Sequence, residues 1–218
     1  MKPSRRALSL NRGPGRGFKS NFFRLQRAPG MSRELGYVDL ALTGFNFDTT
    51  GSIVLLNTVA QGASVNQRVG KKIRMKGIQC RGIHQNNSAA TTNDCAVLIV
   101  YDKRPTGALP TATDILVSAN SFAFNNDANA GRFQILKRHD FCLNGNSSAA
   151  ANQLDTMSMS ADFYLDLKGL EVVYKAAATG AIGDIEQGAL YCITVGNNTA
   201  GTGGATGFMG FRLRFLDV

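Results

Sequence analysis

The sequence predicts an all-β fold, an antiparallel sandwich without long helices. Three observations predict it. No window of the 218 residues carries the i, i+3, i+4 apolar spacing of a long amphipathic helix. About eight segments instead alternate apolar with polar residues, or run apolar over a few positions. Small-residue loops rich in Gly, Asn, Ala and Ser separate them, with 24 glycines in all and only 18% charged residues. An eight-stranded antiparallel jelly roll of two four-stranded sheets is the commonest architecture with that count, and no internal repeat points elsewhere.

In chain order, residues 1–35 read as a basic Gly/Pro/Arg-rich arm and residues 36–218 as the β domain. Gly13-Pro14-Gly15-Arg16-Gly17 cannot continue a helix or a strand, and Pro3, Pro29 and Gly30 punctuate the rest of the arm. Val38, Leu40 and Leu42 alternate with Asp39, Ala41 and Thr43, a half-buried strand. Ile53-Val54-Leu55-Leu56 follows the Thr50-Gly51 turn as a short apolar run. Over residues 72–81 the apolar set is Ile73 and Met75, then Ile78 and Cys80. That slip of one in phase, centred on Gly77, predicts a β-bulge. Residues 95–101 are continuously apolar, the pattern of a strand covered on both faces. Residues 105–115 are loop, with Thr111 or Thr113 able to cap a brief helix. A strand starts at Phe133 and runs toward Phe141, and Phe163, Leu165 and Leu167 alternate in the next. Further strands follow over residues 170–174 after Gly169 and 190–195 after Gly188, and in Phe211, Leu213 and Phe215 alternating with Arg212 and Arg214.

The formal charge of +9 is unevenly placed. Lys2, Arg5, Arg6, Arg12, Arg16, Lys19, Arg24, Arg27 and Arg33 put nine cations and no acid in residues 1–33, while the remainder holds fifteen of each sign. A neutral body with a basic arm predicts a polyanion partner for the arm. Phe18, Phe22 and Phe23 lie among those cations. They suit stacking on unpaired bases and equally suit docking on the body or a neighbouring subunit. A second basic set, Arg68, Lys71, Lys72, Arg74 and Lys76, lies in a stretch with no acid between Asp48 and Asp94. On a strand bulged at Gly77, Lys72, Arg74 and Lys76 share one face, and their mutual repulsion would be relieved by a polyanion or by acidic neighbours. These fourteen cations are the candidate nucleic-acid-binding residues.

Catalytic patterns are not found. The chain has no GxSxG, HExxH or GxxxxGK[ST] motif, and His139-Asp140 would point to opposite faces of a strand. Gly201-Thr202-Gly203-Gly204-Ala205-Thr206-Gly207 precedes a strand, so it lacks the helix terminus that would hold a pyrophosphate. Cys80, Cys95, Cys142 and Cys192 show no CxxC spacing, and only His84 and His139 could join them, so neither a metal site nor a cofactor is expected. The four thiols are read as reduced and buried. No apolar run is long enough for a membrane-spanning helix, and residues 7–10 are too short for a signal-peptide core.

Gly51-Ser-Ile-Val-Leu-Leu-Asn57, Gln67-Arg68-Val69-Gly70-Lys71-Lys72-Ile73 and Val100-Tyr101-Asp102-Lys103-Arg104-Pro105-Thr106-Gly107 together resemble capsid proteins of small circular single-stranded DNA viruses that encode a replication initiator. Geminivirus coat proteins are similar through the same RVGKK- and YDKRPTG-like segments. Gly131-Arg-Phe-Gln-Ile-Leu136 and Phe211-Arg-Leu-Arg-Phe215 fit as well. The likeness spans residues 36–218 and departs from geminivirus proteins in lacking their Cys/His-containing basic N-terminal region. It implies a single jelly roll, self-assembly into an icosahedral virion shell, a single-stranded DNA genome packaged by the basic arm, and a host-nuclear stage during assembly; the simplest closed shell of such subunits has sixty copies. Sixty arms would carry about 540 positive charges. The alternative is a non-viral single-strand-binding β-barrel, for which the aromatic–basic pairs should lie along the sheet rather than in the arm.

Overall fold

The protein is described by a computed structural model that covers residues 35–86, 92–144, 158–176, 179–199 and 203–218. The predicted arm, its nine cations and its phenylalanines therefore lie outside the described residues, as does the side chain of Leu42. Nine strands form among the described residues: β1 (Gly36–Phe47), β2 (Ser52–Leu55), β3 (Lys72–Gln85), β4 (Thr92–Asp102), β5 (Phe133–Asn144), β6 (Ser158–Tyr174), β7 (Ile185–Gln187), β8 (Ala189–Gly196) and β9 (Ala205–Asp217). The longest helix among the described residues, α1 (Ala112–Ile115), has four residues, and no helix is long and apolar enough to cross a membrane. One sheet runs β1-β9-β3-β6-β7 and the other β2-β8-β4-β5, with every named pairing antiparallel. Without the three-residue β7, the order is that of an eight-stranded jelly roll. The expected pair of four-stranded sheets is thus corrected to five strands facing four, because Ile185–Gln187 adds to the open edge of β6.

Alternation decides which side chains enter the core. In β9, Phe211, Leu213 and Phe215 are buried while Arg212 and Arg214 face out. In β3 the buried set passes from Ile73 and Met75 to Ile78 and Cys80, and the register shifts between Met75 and Gly77 against both neighbours. The phase slip is a β-bulge, as predicted. Opposite it, β6 corrects a second expectation. Residues 163–167 and 170–174 are one strand, because Lys168 (φ 51°) and Gly169 (φ 80°) loop out in the left-handed region and the ladder then resumes. A backbone N–H of Lys168 donates to Asp166 at 2.8 Å and holds this excursion.

The centre of β4 is buried on both faces, as its unbroken apolar run requires. The second cover comes from α1 and the loop after it, which contribute Ala112, Ile115, Leu116 and Ala123 to the core. Thr111 caps α1, with its N–H donating to the Asp114 carboxylate at 2.7 Å. The Tyr101-Asp102-Lys103-Arg104 segment is explained by one buried acid. Asp102 accepts from the Arg132 guanidinium at 2.8–3.2 Å and from the Arg104 N–H at 3.0 Å, fixing where β4 ends and β5 begins.

All four cysteines are free, but only three are buried. Burial pushes the Cys80 and Cys95 thiols up to about 12. Cys142 is exposed, because β5 is an edge strand and alternation turns this residue outward. His139 and Asp140 do point to opposite faces: His139 stacks on Phe141, whereas Asp140 accepts from Arg138 at 2.9 Å.

Candidate nucleic-acid interface

The outward face of the five-stranded sheet gathers charge from segments far apart in sequence. Before the bulge β3 turns Lys72, Arg74 and Lys76 outward; after it, Arg81. The ladder sets Arg214 opposite Gly77 and Arg212 opposite Gln79, while β1 sets Tyr37 opposite Arg214 and Asp39 opposite Arg212. Acids on the flanking strands answer part of this charge. Arg212 holds Asp39 in a two-pronged pair at 2.7 Å, Arg74 meets Glu171 at 2.8 Å, and Arg81 meets Asp162 at 3.8 Å. The Arg212 hydrogen bonds hold the Asp39 carboxyl below the usual carboxylate range. All three pairs are well exposed, so each adds little to stability. Lys71, Lys72, Lys76 and Arg214 have no ion-pair partner among the described residues and remain exposed.

Two aromatic rings lie on the same face. Arg212 stands over Tyr37, 5.1 Å from its ring centre. The tip of the Tyr164 ring reaches Gly77, and a Cβ at that glycine would collide with the tyrosine hydroxyl. Gly77 therefore both makes the bulge and leaves room for Tyr164, whose side chain stays 60% exposed. A depression of about 590 Å³ opens beside this array, lined by Asp39, Gln79, Arg81, Gly210 and Arg212. Cations for phosphates beside an exposed ring for a base suit sequence-independent binding of a single strand.

The five predicted body cations divide. Lys71, Lys72, Arg74 and Lys76 lie on or beside this face, with Arg74 already paired to Glu171. Arg68 does not join them, because it is buried. Its guanidinium sits 4.2 Å from the Tyr174 ring centre and donates to the Gly70 carbonyl at 2.7 Å. The RVGKK segment thus uses its arginine for packing. Its glycine approaches the chain end, where the Val69 and Gly70 N–H groups donate to Asp217 at 2.6 and 3.2 Å. Sequence reasoning left out Arg212, Arg214, Tyr37 and Tyr164. The alternation of β9 shows both arginines facing out, but only strand order reveals that β9 lies between β1 and β3.

Two sheets of five and four strands are not the five-stranded barrel of an oligonucleotide-binding fold, the alternative considered above. No curated protein matches the sequence. Solved structures similar to this chain include one titled desmodium yellow mottle tymovirus, 12% identical over 85% of this chain and 91% of that one, with a TM-score of 0.31. Another is the VP1 pentamer of human polyomavirus 6, 9% identical over 86% and 95%, with a TM-score of 0.32. A third is the 60-mer BFDV capsid protein, 9% identical over 85% and 94%, with a TM-score of 0.30. The jelly-roll assignment rests on the strand order itself. One family model matches residues 16–217, nearly the whole chain, and by that match this is a viral coat protein that belongs to the geminivirus coat protein/nuclear export factor BR1 family.

Proposed function

We propose that copies of this coat protein close into an icosahedral shell of sixty and package single-stranded DNA through the basic arm, with the outward face of the five-stranded sheet as a smaller, geometrically fixed contact. The segregation of charge carries this reading: nine cations without an acid in residues 1–33, against a body with fifteen of each sign. A Gly- and Pro-interrupted arm can follow an irregular single strand and release counterions without reading sequence. The sheet face adds Lys72, Lys76 and Arg214 for phosphates and Tyr164 for a base. In this reading residues 1–35 form a separate functional unit, the protein works in the virion, and assembly passes through the host nucleus.

Deleting residues 2–33 tests it. The expected result is a folded protein that packages little nucleic acid and binds single-stranded DNA with a much shallower salt dependence. Equal affinity of deleted and full-length protein across several salt concentrations would move recognition to the body.

A further inference from the structure

We propose that the loop bearing Phe122 and Phe124 is the projecting half of a head-to-tail contact between copies, seated in the next copy against Leu35, Tyr37, Val65 and Val218. The inference rests on the coat-protein reading and adds which surfaces meet.

The loop between α1 and β5 is built to hold apolar side chains in water. Val117, Phe122 and Phe124 are 67%, 68% and 84% exposed, within eight residues that carry no charge. Single exposed hydrophobes are ordinary, but three on one rigid loop are not. The rigidity is explicit: Val117 N–H donates to the Phe124 carbonyl at 2.9 Å, Asn126 N–H to that of Ile115 at 2.8 Å, and Phe122 N–H to the Asn120 side chain at 2.9 Å. From β5, the Arg138 guanidinium donates to the carbonyls of Ala123, at 2.8 Å, and Ser121. Ala123, buried between the two phenylalanines, fills the inward position, so neither ring can turn into the core without undoing these bonds. The projection offers about 400 Å² of apolar surface. That is about half of the ~800 Å² per partner that a stable contact needs, and within the size of patches that mark interaction sites.

A second apolar patch lies on the other layer of the sandwich, where β1 begins and β9 ends. Leu35, Tyr37, Val65 and Val218 are 49%, 40%, 45% and 51% exposed, and the Tyr37 N–H donates to the Val65 carbonyl at 3.2 Å. Beside them Gly36, Ala63, Val65 and Phe215, together with the polar Ser64 and Gln67, line a depression of about 300 Å³. A cavity of about 150 Å³ holds a benzene ring, so a phenyl group fits. Asp217, the acid at its rim, accepts from the Val69 and Gly70 N–H groups, so its carboxylate keeps these hydrogen bonds when an uncharged loop docks. Because the two patches differ and lie on different sheets, their contact is head-to-tail, the kind that closes into rings when its rotation allows.

The test mixes two variants of the full-length protein, Phe122→Ser/Phe124→Ser and Leu35→Lys/Val65→Lys, each first shown to be folded by circular dichroism. Each alone should fail to form particles, whereas the mixture should form dimers and stop, since only one intact contact is available. Particles of wild-type size from either variant alone, or a mixture that stays monomeric, would overturn the inference. Should a variant misfold, Phe124→Cys and Val65→Cys in a Cys142→Ser background replace it. A disulfide-linked dimer is then expected from the mixture and from neither alone, and its absence overturns the contact. A wild-type protein that remains monomeric under all conditions is the separate outcome that removes the coat-protein reading itself.

Discussion

Three buried polar side chains set the stability of the fold in different ways. Asp102 is fully buried and neutralised by Arg132, with the Tyr191 hydroxyl 3.5 Å away. Its removal leaves a guanidinium and a backbone N–H without their acceptor, so Asp102→Ala should cost about 3 kcal/mol, read as a lower urea midpoint at unchanged slope. Arg68 is accommodated by the Tyr174 ring, and Tyr174 is fixed in turn by a 2.8 Å bond from its hydroxyl to the Asn57 carbonyl. His84 is the pH-sensitive one. It lies against Gly207, edge-on to Phe47 and stacked on Phe141, whose far side faces His139, and neither ring nitrogen has a hydrogen-bond partner. Burial, with a smaller contribution from His139, holds its pKa down at about 4 instead of 6.5. Below pH 6.5 the unfolded chain takes up a proton that the folded chain refuses, so stability falls as pH drops toward 4 and then levels off. The expected loss is about 3 kcal/mol across that window. Urea unfolding of wild type and His84→Phe at several pH values checks it: the variant should lose distinctly less over the same range, and parallel curves would exclude His84 as the cause.

At the scale of the element, β3 and its bulge organise the outward face. The bulge lets Lys72, Arg74 and Lys76 face out at one end of the strand while Ile78 and Cys80 remain inside at the other. Lys72→Ala/Lys76→Ala/Arg214→Ala removes three exposed cations of this face that have no ion-pair partner among the described residues. In the arm-deleted protein it should reduce the salt slope of single-stranded DNA binding by about 2 to 3, with no change in unfolding midpoint. Tyr164→Ala should weaken the same binding by about 1–3 kcal/mol while leaving the slope unchanged, because stacking releases no counterions. A slope change on removing the tyrosine would mean that it positions Lys76 or Arg214 instead. The two halves of this element were unequally legible. The slip at Gly77 reads directly from apolar spacing, whereas the break at Gly169 looks like a strand end until its partner strand shows the ladder continuing.

For the molecule as a whole, the described residues contain one continuous core, built from inward side chains of both sheets and from the cover over β4. If this core is self-sufficient, the arm-deleted protein should melt within about 2 °C of the full chain by calorimetry. A larger drop would mean that the arm docks on the body, the second role considered for Phe18, Phe22 and Phe23. What the sequence determined by itself was the all-β class, the inward and outward sets of most strands, the Gly77 bulge and the concentration of charge in the first thirty-three residues. All of these are local properties: a side-chain period of two, a glycine at a phase slip, and the signs of neighbouring residues. Only the tertiary structure decided that β9 lies between β1 and β3, that Arg214 therefore stands opposite Gly77 and Arg212 opposite Gln79, that Arg68 turns inward, and that Phe122 and Phe124 stay in water. Strand order and the fate of a loop side chain depend on which distant segments meet. That is settled by closing a shared core, and no spacing along the chain records it.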